Sequence, residues 1–147
     1  VPLIINDDWK LDVAPGCDFR PLGQERLAAA DRPAIRRAGL RIGVSTHDES
    51  ELDTALAVKP DYVALGPVYP TILKKMKWEP QGLERVRGWK KLVGDLPLVG
   101  IGGINLDRAR GVLDAGADAI SVVTDVLLNE HPEARARAYV ELTREFV

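Results

Sequence analysis

Four short stretches bring together residue types that can do chemistry. The first is IGGI, Ile101 to Ile104, followed by Asn105. Glycines let a backbone approach a ligand closely, and a helix starting at Asn105 would offer unpaired N–H groups to an anion. Two glycines alone fit a plain tight turn better. VVTDV, Val122 to Val126, shifts the balance, because it places Thr124 at the end of an apolar run one unit further on. In a (β/α)8 barrel the loops after the last two strands commonly hold phosphate, so the two stretches together predict a phosphate site.

NDD, Asn6 to Asp8, ends the first apolar run. Carboxylates at that edge of a barrel can hold Mg²⁺ beside a diphosphate, and the same spacing fits helix capping ahead of Trp9 equally well. GVSTH, Gly43 to His47, offers Ser45 and Thr46 as donors to phosphate oxygens and His47 as a donor or general acid/base. A histidine beside a helix cap is more often structural. The fourth stretch is proline-rich, Pro67 to Gln81, where Thr71 and Lys74 can reach over a site mouth. Lysine supplies a point charge to diphosphate, although clustered lysines more commonly face solvent. Met76 and Trp78 are expected to anchor this loop by packing.

These stretches must be positioned by alternating elements. Leu3–Asn6, Ile42–Ser45, Tyr62–Leu65, Leu98–Ile101 and Ala119–Val123 are short, continuously apolar runs that read as buried parallel strands. Cys17–Leu22 is a weaker sixth candidate, because Pro21 and Arg20 suit a central strand poorly. Glu49 to Val58 carries Leu52, Ala55, Leu56 and Ala57 near one face, and Leu106 to Ala115 does so with Leu106, Ala109, Val112 and Leu113. Asp48 and Asn105 are the expected N-caps, and Gly116 the expected C-terminal stop. Short helices are expected at Trp9–Val13 and Arg32–Ala38, and a last one from Pro132 towards Phe146. Strand starts at 42 and 62, and at 98 and 119, give a compact βα repeat, with the proline-rich loop inserted between 62 and 98.

Composition bounds the function. The chain has 147 residues, 46% hydrophobic and 29% charged, which suits one globular domain and excludes a disordered tail. A net charge of -2 gives no global field toward nucleic acid or an anionic membrane, so any anion must be held locally. Cys17 is the single cysteine, which excludes an internal disulfide and a cysteine-based zinc site and fits a reducing, cytoplasmic setting. No apolar run approaches the roughly 18 residues of a membrane span.

Taken in order, LIIND, LGQE, GVSTH, DYVALGPVYPT with Lys74 following, VGIGGI and AGADAISVVT resemble the thiamin phosphate synthase family. The resemblance implies a TIM (β/α)8-type barrel that joins an aminopyrimidine diphosphate to a thiazole phosphate, releasing diphosphate and giving thiamin monophosphate. It implies a dissociative, cation-like pyrimidine intermediate and Mg²⁺ on the leaving diphosphate. Carried over by motif, Asn6 is a substrate-binding residue and Asp7 a Mg²⁺ ligand. Ser45 contacts the diphosphate. Thr71 serves the thiazole phosphate and Lys74 the diphosphate, with Ser45 and Lys74 in the catalytic roles. Gly103, Val123 and Thr124 form the thiazole phosphate cradle, Thr124 standing where many relatives have serine.

Two departures accompany the resemblance. Where the family reads GQED, this chain has Gly23, Gln24, Glu25 and Arg26, which replaces a Mg²⁺-binding carboxylate by a cation. The family also carries two βα units ahead of the motif that begins at Val1. The expected fold is therefore an α/β barrel domain over 1–147, truncated at its N-terminus, with about six βα units and two exposed parallel edges that would aggregate, pair with another copy or partner, or belong to a longer chain. The short chain is expected to form little thiamin monophosphate. Two other readings remain open: a thiazole tautomerase-like isomerase using His47 without Mg²⁺, and a non-catalytic phosphate-ligand binder.

Overall fold

Parallel strands and helices alternate along the chain in the computed structural model, which describes residues 18–72 and 77–146. Two compact units divide it, Val1–Ala64 and Leu65–Val147. The expected strand at Leu3–Asn6 and helix at Trp9–Val13 lie outside the described residues.

In the first unit, β1 (Phe19–Leu22) pairs in parallel with β2 (Arg41–Thr46), from Phe19 opposite Arg41 to Leu22 opposite Val44. The weak strand candidate is therefore a strand, beginning at Phe19, and Arg20 within it is buried. Helices α1 (Gln24–Ala29) and α2 (Arg32–Arg37) follow it, and Gly39, at φ +78°, turns the chain into β2. Ile42, Val44, Leu27 and Leu52 form the buried apolar centre with Ala55 of α3 (Glu49–Ala57) and Val63 of β3 (Tyr62–Leu65). Burial of this set, rather than intrinsic propensity, holds such short elements. Ala57, expected on the inner face of α3, is exposed, because only Leu52 and Ala55 of that helix are buried. Gly43 has no room for a side chain, since a Cβ there would meet the Tyr62 ring at 1.9 Å.

The second unit contains α4 (Gly82–Val93), whose Val86, Trp89 and Val93 are buried, then β4 (Leu98–Ile101). After β4 come α5 (Leu106–Asp114), β5 (Ala119–Ser121), α6 (Thr124–Leu127) and α7 (Pro132–Thr143), closed by a 3₁₀ turn at Arg144–Phe146. β4 and β5 pair in parallel, Val99 opposite Ala119 and Ile101 opposite Ser121. The last strand stops two residues short of the expected Val123, since Val123 adopts φ -123°, ψ -72° and leads into α6. Asp48 and Asn105 cap α3 and α5 as expected, accepting from Glu51 N and Arg108 N at 2.9 and 3.0 Å.

One device appears once in each unit. The carboxylate of Asp61, just before β3, accepts from Ile42 N at 2.7 Å, and that of Asp118, just before β5, accepts from Leu98 N at 2.8 Å. Each carboxylate also has a cation beside it, Arg36 at 3.4 Å and Lys90 at 2.8 Å. A βα repeat that was visible as an interval thus has the same fastening at the start of β2 and of β4.

Candidate phosphate-binding site

The IGGI turn is shaped by what lies against it. Val68 N and Tyr69 N donate to the carbonyls of Ile101 and Gly102, at 2.9 and 3.1 Å, which lays the start of the proline-rich loop along the turn. Gly102 and Gly103 have φ of +96° and +64°, and a Cβ on Gly103 would come within 2.3 Å of the Pro70 carbonyl oxygen. The loop is closed on itself as well, Gln81 N and Gly82 N donating to the carbonyls of Pro67 and Val68. Both glycines are thus needed for the close approach of two backbone segments.

A cavity of about 290 Å³ opens there, with Thr71, Gly103, Asn105, Arg108, Thr124 and Asp125 in its lining. Three residues named from the sequence, Thr71, Gly103 and Thr124, come together in it. Arg108 donates from Nη1 to the Gly103 carbonyl at 2.8 Å and lies 4.8 Å from the Tyr69 ring centroid, so its guanidinium ties turn and loop together. It is the one cation in the lining among the described residues. Two hydroxyls and a guanidinium make donors suited to a phosphate group.

Asp125 adds a carboxylate to this lining, and its charge is taken up locally. Its Oδ2 accepts from the Tyr139 hydroxyl at 2.6 Å and from Leu106 N at 3.3 Å, with Arg135 Nη1 at 3.8 Å. Burial first, then the bond to Asp125, pushes the Tyr139 phenol well above its ordinary range, so it stays a protonated donor. Sequence reasoning missed Arg108, Asp125 and Tyr139. Arg108 lies in a charged helical run, and Asp125 and Tyr139 meet only through the chain's return; the TD pair beside Thr124 was the one available hint.

The other expected site residues lie elsewhere. Val123 precedes α6 and is absent from the cavity lining. Ser45 sits in β2, its carbonyl accepting from Gln24 Nε2 at 2.8 Å. Asn6, Asp7 and Lys74, like Cys17 and Met76, lie outside the described residues. Thr46 corrects an expectation: it is fully buried and its hydroxyl donates to the Ala64 carbonyl at 2.8 Å, so it serves the strands and not a ligand. His47 is held by Glu51, whose Oε2 lies 2.7 Å from His47 Nδ1 and accepts from its backbone N at 2.9 Å.

Residues described around GQER do not by themselves make a magnesium site. Glu25 and Arg26 are exposed on α1, and among the described residues no group of three or more His, Cys, Asp or Glu could hold a metal. No described helix is long and apolar enough to cross a membrane.

Parallel strands alternating with helices, and a cavity at the turn after β4, define an α/β chain of the TIM-barrel type. Its relatives narrow that class. The family model for thiamine monophosphate synthase matches residues 1–126. A thiamine-phosphate synthase of Rhizobium etli is 62% identical over 141 residues, covering 96% of this chain and 69% of that protein. One from Cronobacter sakazakii is 52% identical over 124 residues, covering 84% and 59%. The solved structure of thiamine phosphate pyrophosphorylase from Pyrococcus furiosus superposes with a TM-score of 0.84 at 29% identity, over 99% of this chain and 68% of that one. The chain belongs to the thiamine monophosphate synthase family. It spans between 59% and 69% of the length of the two curated relatives.

Proposed function

We propose that the chain serves the coupling of an aminopyrimidine diphosphate with a thiazole phosphate, with Arg26 in place of a Mg²⁺-binding carboxylate keeping its turnover low. The bond between the pyrimidine methylene carbon and the diphosphate oxygen breaks, the electron pair leaving with diphosphate. The thiazole nitrogen then bonds that carbon, giving thiamin monophosphate. What supports this reading is the cavity that gathers Thr71, Gly103 and Thr124 beside Arg108, in a chain of this family.

In this scheme Thr71, Gly103 and Thr124 hold the thiazole phosphate, with Val123 next to Thr124 at the edge of the cradle, while Asn6, Ser45 and Lys74 serve the diphosphate. A lysine charge aimed at the departing diphosphate lowers the barrier without any nucleophilic residue. Mg²⁺ belongs to the proposal with Asp7 as its ligand. The same reading puts the protein in the cytoplasm and pairs it with a second copy, which sedimentation equilibrium checks.

The deciding experiment follows thiamin monophosphate from both substrates with Mg²⁺, before and after chelation. Product that depends on both substrates and falls at least a hundredfold in Lys74→Ala supports the coupling reaction. Product formation indifferent to Lys74 and to chelation would sink the assigned roles. Binding of thiazole phosphate without product would leave a non-catalytic binder in its place.

The His47–Glu51 pair favours one second reading. A histidine held by a carboxylate at 2.7 Å can move a proton, which a thiazole tautomerase-like isomerase requires. Incubation with the thiazole carboxylate phosphate isomer tests it, and absence of His47-dependent conversion removes it.

A further inference from the structure

We propose that Tyr139 is a positioning residue for the phosphate cavity, acting through Asp125 from a helix that lies beyond the stretch matched by the family model. The proposal rests on reading the cavity as a phosphate site.

Helix α6 carries Thr124 and Asp125 into the cavity lining, yet little in α6 itself holds it there. It is one turn long, buries none of its residues and has no side-chain N-cap, while Leu127 and the following Leu128 are largely exposed. A turn this short does not persist on its own hydrogen bonds. Asp125 provides the fastening: its Oδ2 meets Leu106 N at the start of α5 and the hydroxyl of Tyr139. Tyr139 is in turn the one buried residue of α7, so the point at which α7 is seated is also the point that grips α6.

The same contacts settle an electrostatic conflict. A carboxylate lining an anion site repels its ligand unless its charge is offset. Tyr139, Leu106 N and Arg135 supply two hydrogen bonds and a cation to that one oxygen. Losing the phenol would remove one of the two hydrogen bonds that hold α6 through Asp125 and one of the groups that offset its charge.

The test uses the full chain and inorganic phosphate as the probe, with dissociation constants from calorimetry. Tyr139→Phe, which keeps the ring and removes the hydroxyl, is expected to weaken phosphate about fivefold to tenfold. In an Asp125→Ala background the same change should add nothing, because two residues acting through one contact are not additive. Asp125→Asn, whose amide oxygen still accepts from the phenol without the charge, should match or exceed wild-type affinity. An unchanged dissociation constant in Tyr139→Phe, or an equal loss in both backgrounds, overturns the proposal. So does Asp125→Asn falling as far as Asp125→Ala, a comparison that holds even if Tyr139→Phe fails to fold. Wild-type chain that binds no phosphate overturns the proposal too, and it is the one outcome that also removes the phosphate reading of the cavity.

Discussion

At Gly103 the backbone sits at φ +64° with the Pro70 carbonyl oxygen 2.3 Å from where a Cβ would be. Gly103→Ala must therefore move backbone, and a cost of about 1–3 kcal/mol is expected. Urea unfolding checks the stability, and phosphate calorimetry should show affinity lost with it; full affinity in a destabilised variant would separate the turn from the site. Arg108→Lys tests a different property. Lysine keeps the charge but not the planar donor that meets the Gly103 carbonyl and stacks on Tyr69, so phosphate binding should fall in Lys nearly as far as in Ala. Equal affinity of wild type and Arg108→Lys would reduce Arg108 to a point charge. At this scale the sequence was legible where spacing is local. IGGI and the caps Asp48 and Asn105 could be read directly, whereas Thr46 could not: nothing in GVSTH tells a ligand-facing hydroxyl from one committed to the Ala64 carbonyl.

Elements were legible when a buried face imposes a period. β3 and β4 fall where their apolar runs stand, and α5 follows its Ala109, Val112 and Leu113 stripe. α6 has no buried residue and hence no pattern, which is why Thr124 reads as strand end and proves to begin a helix. The repeated carboxylates Asp61 and Asp118 show what such short strands need at their starts. Asp118→Ala removes the acceptor of Leu98 N and the partner of Lys90, and Asp61→Ala does the same for Ile42 N and Arg36. Each is expected to cost about 1–3 kcal/mol, mainly from the unpaired strand N–H, while the exposed ion pairs add little. Asn at either position keeps an acceptor and should recover most of the loss. Failure of Asn to recover it, in thermal melts at fixed ionic strength, would assign the effect to charge instead.

Across the whole molecule, each unit carries one phenol that folding makes harder to ionise. Tyr62, packed over Gly43 and against Phe19 at 5.6 Å, is raised by burial, and Tyr139 is raised by burial and by its bond to Asp125. Since the folded state holds these protons more tightly than the unfolded chain, where the ordinary value is 10.0, each phenol contributes stability that is fully present below that pH. The contribution disappears as pH rises from there through the raised folded values. Urea midpoints for the wild-type chain should therefore fall above about pH 10 more steeply than lysine titration alone requires. Tyr62→Phe and Tyr139→Phe each remove one ionisable group, so the difference in stability between wild type and variant should shrink or reverse as pH rises from 8 to 11. The two changes should add, because Tyr62 and Tyr139 share no partner among the described contacts. A pH-independent difference would mean that the phenols ionise alike in both states and that their burial gives no alkaline limit to stability.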